Sequence, residues 1–114
     1  MSAKVQSMIG RVDGQQFAWL FVGAIGCCEV SLAGECAGLR RMWVDQSVRR
    51  KGVGTALFAE ALAVARSAGN RAISFTVRKD NGAAILFYQA QGAVIVHDDA
   101  EDYWMSVPLN QGKD

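Results

Sequence analysis

Arg49-Arg50-Lys51-Gly52-Val53-Gly54-Thr55 stands between a strand-like run, Leu39 to Val44, and a helix-like run that begins near Val53. The glycines of this R-x-x-G-x-G pattern lack Cβ atoms, so backbone N–H groups can approach an anion closely. The helix that follows adds unpaired N–H groups and the positive end of its dipole. Arg49, Arg50 and Lys51 set full positive charges beside it. The stretch reads as a phosphate cradle, but so short a pattern needs support from the rest of the chain.

That support comes from Asn81-Gly82-Ala83-Ala84-Ile85-Leu86-Phe87-Tyr88, which opens a second helix after another strand, Arg71 to Val77, and leads into Gln91-Gly92-Ala93. Four elements occur in order: the strand Leu39-Arg40-Arg41-Met42-Trp43-Val44, the loop Arg49 to Gly54, the helix start Asn81-x-x-Ala84-x-x-x-Tyr88, and a closing Gly92 before the last hairpin. In these the chain resembles the GNAT superfamily of acyl-CoA-dependent N-acyltransferases. The resemblance covers about residues 37 to 108.

Composition sets the outer limits. A chain of 114 residues is expected to form one domain, residues 1–114, which can bury a core without staples. Twelve Lys and Arg against eleven Asp and Glu leave a formal charge of +1, so no global field recruits nucleic acid or an anionic membrane. Basic charge is local, from Arg40 to Lys51. The longest apolar run, Phe17 to Cys28, is shorter than the roughly 20 residues of a membrane helix and is broken by glycines, so it reads as buried strand. Cys27, Cys28 and Cys36 form an odd set without C-x-x-C spacing. That argues against a disulfide framework or a metal site and predicts buried thiols in a reducing cytoplasm.

The first half reads as strands joined by tight turns: Lys4 to Val12, the turn Asp13-Gly14, Gln15 to about Val22, Ala24 to Val30, and Cys36 to Val44. From Gly54 to Ser67 the spacing becomes helical, with Leu57, Ala61, Leu62 and Ala65 on one stripe and Gly69-Asn70 as the stop. A buried strand, Ala72 to Val77, follows, then a helix from Asn81 to Gln91. Ala93 to His97 and Tyr103 to Val107 form a hairpin around an acidic tip, Asp98 to Asp102, and Asn110 to Asp114 is expected to be a loose tail. A meander followed by strand-helix alternation implies a mixed α/β sheet with helices packed against it. The resemblance adds that the sheet is mostly antiparallel with two main helices. Family members usually carry a strand and two helices ahead of the meander, whereas only about a dozen residues precede Asp13 here. A reduced N-terminus is therefore expected, with the acceptor pocket open or walled by a partner subunit.

The resemblance also implies roles for particular residues. Backbone N–H groups of Arg50, Lys51, Gly52, Val53 and Gly54, with the Thr55 hydroxyl, would bind the diphosphate of coenzyme A, and Arg49 would add charge. Backbone groups of Met42, Trp43 and Val44 would pair with the pantetheine arm like an added strand, with the Met42 N–H polarising the thioester carbonyl. Met42 and Trp43 read equally as core residues. Asn81 reads as a helix cap and as a cofactor contact, with Ala84 and Phe87 on the same helix in the cofactor-binding set; Phe87 also reads as core. The Tyr88 phenol would protonate the departing thiolate as general acid, its alternative being a half-buried aromatic with a satisfied hydroxyl.

The general base is not singled out. In several family members a carboxylate lies where this chain has Gly38. Glu29, Glu35, His97 or the acidic tip could substitute, with Glu29 taken as the candidate, and the tip could attract a cationic amine. The expected activity is transfer of an acetyl group from acetyl-CoA to a primary amine, small-molecule or peptide, by direct attack in a ternary complex. The alternative is a noncatalytic acyl-CoA-binding module. Phe17, Trp19 and Phe21, on alternating positions of a strand without helices ahead of it, suggest a homodimer.

Overall fold

Asp13 and Gly14 both take left-handed backbone angles, φ 52° and 80°, so the chain reverses within two residues. Strand β1 (Gln6–Val12) thereby runs antiparallel to β2 (Gln15–Val22). In this computed structural model, which describes residues 4–109, β3 (Gly26–Ser31) and β4 (Cys36–Val44) extend the meander. Then come α1 (Val53–Ser67), β5 (Ala72–Arg78), α2 (Gly82–Ala90), β6 (Val94–Asp98) and β7 (Asp102–Pro108). The strands form one seven-stranded sheet in the order β1-β2-β3-β4-β5-β7-β6. All neighbours are antiparallel except β4 and β5, which α1 connects.

Alternation along the strands decides where the core lies. Ala18 and Leu20 of β2, Cys28 and Val30 of β3, Ala37 and Leu39 of β4, and Ile73, Phe75 and Val77 of β5 are buried on one face. Both helices cover that face. Helix α1 inserts Leu57, Phe58, Ala61 and Ala65, and burial of Leu57 and Phe58 contributes about 2 kcal/mol each. The predicted stripe missed Phe58 and included Leu62, which is only partly buried. Gly26 lets α1 close on the sheet, since a Cβ there would lie 2.8 Å from Val53 Cγ1. Gly69, at φ 88°, ends the helix, and buried Asn70 donates from Nδ2 to the carbonyls of Leu32 and Gly34, fixing the turn that leads into β4.

Several expectations need correction. The third strand starts at Gly26 rather than Ala24, because Gly23 adopts φ 51° in the turn. Cys27 and Cys36 lie on the face away from the helices and are exposed; only Cys28 is buried. Trp43 is 48% exposed, so it is not a core residue. The expected tail, residues 110–114, lies outside the described residues. No helix among the described residues is long and apolar enough to cross a membrane.

Candidate functional site

The sheet splits in its middle. Strands β4 and β5 pair only through Cys36–Ala72, Ala37–Ile73 and Gly38–Ser74. Beyond that point β4 continues to Val44 alongside β3, and β5 continues to Arg78 alongside β7. The backbone edges that face each other across the gap are therefore left without strand partners on that side. A cleft of about 280 Å³ occupies the split. It is lined by Leu39 to Met42 of β4, Phe75 to Arg78 of β5, and Asn81, Ala84 and Tyr88.

Beyond the end of β4 lies the glycine loop. Arg50 and Gly52 adopt φ 67° and 86°, which turns the chain sharply into α1. Gly52 is the N-cap, and no side chain among the described residues caps the helix, so its first-turn N–H groups are not committed to one of them. The Arg49 Nε donates to the Val44 carbonyl at 3.2 Å, tying the loop to the strand end, while Arg50 and Lys51 are exposed. Thr55 lies exposed in the first turn of α1. A Cβ on Gly54 would meet Phe87 Cζ at 3.5 Å and Val44 Cγ2 at 3.7 Å. Thus Gly54 brings the helix start against both β4 and α2, and an alanine there would be in ordinary contact.

Asn81 is the N-cap of α2, its Oδ1 accepting from the Ala84 N–H at 3.1 Å. Because Asn81 also lines the cleft, capping and a place at the cleft coexist. Phe87 is half-buried, packed edge-on to Phe58 and to Tyr88. Tyr88 packs among Phe58, Phe75 and Phe87 with its ring 4.4 Å from Phe75. The ring is thereby fixed, and the Tyr88 hydroxyl makes no hydrogen bond among the described residues. Burial, with a smaller effect of Cys28, pushes the phenol up to about 12, so it keeps its proton at neutral pH.

A feature absent from the sequence expectations lies on the sheet face away from the helices. Cys27 opposes Trp43 and Glu29 opposes Arg40, so β4 holds one residue more than β3 over this interval. Arg41, at φ 59°, takes the left-handed conformation at the resulting bulge. In a regular strand consecutive side chains point to opposite faces. Here Arg40 and Arg41 both reach Glu29 Oε1, at 2.6 and 3.2 Å, while Glu29 Oε2 accepts from Trp19 Nε1 at 2.8 Å. Partial burial raises the Glu29 carboxyl, but the Trp19 and Arg40 hydrogen bonds and the charges of Arg40 and Arg41 outweigh it and hold the group below the usual carboxylate range. Arg40 also lies over the Phe17 ring, which stacks with Trp19 and is buried within the single chain. No sequence signal marks the bulge, since both arginines look like ordinary strand residues.

At Gly38, a Cβ would lie 2.9 Å from Ser31 Oγ, which accepts a hydrogen bond from the Gly38 N–H. Ser31 thus fills the space where a side chain would begin. The remaining candidates lie outside the cleft lining. Glu35 is exposed and faces Arg71 at 3.9 Å. His97 is exposed and paired with Asp99, which also accepts from Trp104 Nε1. Asp98 meets Lys79 at 3.5 Å and Glu101 meets Arg78 at 3.7 Å.

The model of the acetyltransferase (GNAT) family matches residues 4–93. A comparison with curated protein sequences gives no match. Among solved structures, PaiA N-acetyltransferase from Thermoplasma acidophilum in complex with coenzyme A is similar at TM-score 0.73 and 23% identity, over 81% of this chain and 59% of that one. Ard1 from Thermoplasma volcanium is similar at 0.71 and 29% identity, over 82% and 70%. The ribosomal-protein-S18-alanine N-acetyltransferase from Escherichia coli is similar at 0.74 and 20% identity, over 91% and 75%. The match to the first of these spans less than two thirds of that protein's length.

Proposed function

The chain belongs to the acetyltransferase (GNAT) family, and we propose that it moves an acetyl group from acetyl-CoA to a primary amine by direct attack in a ternary complex. The observation that carries this reading is the split between β4 and β5 after Gly38 and Ser74, with Tyr88 on its wall. An amide-rich arm can pair with an unpartnered strand edge, so the proposal seats pantetheine along Met42, Trp43 and Val44. The diphosphate goes to the N–H groups of residues 50–54 and to Thr55, where an uncapped helix start and Arg49, Arg50 and Lys51 favour an anion. Asn81 and Ala84 line the opposite wall, and Phe87, outside that lining, packs behind it against Phe58 and beside the start of α1 at Gly54.

The chemistry requires one new bond and one broken bond. The neutral amine nitrogen attacks the thioester carbonyl, a C–N bond forms, and the C–S bond breaks. The Met42 N–H polarises the carbonyl, and Tyr88 donates its proton to the departing sulfur. The proton lost by the amine balances the one Tyr88 gave. Glu29 is assigned a positioning role rather than that of the base, because a carboxylate held low by the Trp19 hydrogen bond and two guanidinium groups accepts protons poorly. With no carboxylate of the described residues lining the cleft, the amine proton leaves to solvent, and solvent returns a proton to Tyr88.

Thiol release from acetyl-CoA, measured against a panel of primary amines with wild type and Tyr88→Phe, tests the assignment. Amine-dependent release that the variant loses supports it, and release equal in both overturns it. That no carboxylate of the described residues lines the cleft favours a second reading, a noncatalytic acyl-CoA-binding module, in which coenzyme A binds and no amine is turned over. We further propose a cytoplasmic setting, supported by three free thiols, and a homodimer. Half-buried Trp19 and Phe21 on the sheet face away from both helices support the dimer. A monomer in sedimentation at micromolar concentration would remove it.

A further inference from the structure

We infer that the acceptor is an amine that also carries an anionic group, a carboxylate, phosphonate or phosphate, held by Arg40 and Arg41. This inference rests on the acyltransfer reading above and names its substrate class. Among the described residues, three arginines, Arg40, Arg41 and Arg78, line the cleft and no carboxylate does. Arg78 already has Asp80 and Glu101 as partners. Arg40 and Arg41 share the single charge of Glu29, so the pair retains an excess positive charge.

The geometry of the shared contact sharpens the point. Both arginines reach Glu29 through Nε alone, and among the described residues no hydrogen bond uses their Nη groups. Their side chains are 56% and 74% exposed. The bulge at Arg41 is what brings two consecutive guanidinium groups to one face. Fixed at Nε and open at Nη, they present planar forks of the kind that bind carboxylate or phosphate with two parallel hydrogen bonds. The coenzyme's diphosphate has its own site beyond the far end of β4, at residues 50–54. A polycationic acceptor would meet uncompensated like charge here. The acidic hairpin tip does not reverse this, because its carboxylates are outside the cleft lining and Asp98, Asp99 and Glu101 already face Lys79, His97 and Arg78.

The test uses the full chain and four amines of similar length: β-alanine, 2-aminoethylphosphonate, n-propylamine and putrescine. Coenzyme A is titrated first, and each amine is then titrated into the protein saturated with coenzyme A. The two anionic amines are expected to bind about tenfold tighter than n-propylamine, with putrescine weakest. Arg40→Gln with Arg41→Gln is expected to erase that order while coenzyme A affinity changes little. If the double variant does not fold, Glu29→Gln, which retains both arginines, must keep or enlarge the preference. Putrescine binding as tightly as β-alanine, a preference that survives loss of both arginines, or binding of none of the four overturns the inference while the cofactor site stands. Failure of coenzyme A itself to bind sinks the acyltransfer reading, and the inference with it.

Discussion

Gly38 and Ser74 are the last residues at which β4 and β5 pair, and the sheet parts immediately beyond them. On one side of that parting β4 is held by β3; on the other, β5 keeps its full register with β7 from Ala72 to Arg78. The parting is therefore a stable part of the sheet, with Tyr88 and Asn81 of the second helical segment placed on its wall.

Tyr88→Phe is expected to lower kcat by about a hundredfold or more with little change in coenzyme A affinity. Stability should barely move, because the hydroxyl has no hydrogen-bond partner among the described residues to lose. Steady-state kinetics and calorimetry on the same preparation separate the two effects. A large loss of cofactor affinity would make Tyr88 a binding residue instead.

Gly52→Ala puts a Cβ on a residue at φ 86°, a conformation that costs a non-glycine residue about 1 kcal/mol. The turn should open and acetyl-CoA affinity should fall by about fivefold or more. Gly54→Ala meets only ordinary contacts at 3.5 and 3.7 Å and should bind nearly as wild type. Equal losses in both would mean that the backbone conformation at Gly52 does not shape the anion site.

Glu29→Gln distinguishes an anchor from a base. As an anchor, Glu29 should leave kcat within about threefold for an amine without an anionic group, with roughly 1 kcal/mol lost from the network it organises. As a base, it should bring kcat down by a hundredfold or more for every amine. The kcat ratio with n-propylamine separates the outcomes.

Alkaline stability follows from two buried groups. Burial, with a contribution from Cys27, pushes the Cys28 thiol from 9.0 up to about 12, and burial, with a contribution from Cys28, pushes Tyr88 from 10.0 up to about 12. Both bind their proton more tightly folded than unfolded, so the stability linked to them is complete below pH 9 and is lost as pH rises toward 12. Denaturant midpoints should drop steeply in that window, and Cys28→Ala with Tyr88→Phe should flatten the drop.

Much of this architecture was legible in the chain. The Asp13-Gly14 turn, the helical spacing after Val53 and the Asn81 cap are local signals, each decided by a few adjacent residues. The positions of Arg49 to Thr55 and of Asn81, Ala84 and Tyr88 follow from those elements. What local pattern could not reveal is set by register between strands. The bulge at Arg41 exists only relative to β3, and the convergence of Arg40, Arg41 and Trp19 on Glu29 depends on pairings across three strands. Exposure of Cys27 and Cys36 likewise depends on which face the helices cover. At Gly38 the sequence shows only that a carboxylate is lacking, while the Ser31 hydroxyl that fills its space comes from the neighbouring strand.

Calorimetric titration of the purified chain with acetyl-CoA, and with free coenzyme A alongside, is the measurement to make first. One site per chain with a dissociation constant in the micromolar range is predicted for both, about 8 kcal/mol of binding free energy. Absence of binding heat for either ligand up to millimolar concentration at several temperatures would contradict the cleft between β4 and β5 as a coenzyme A site.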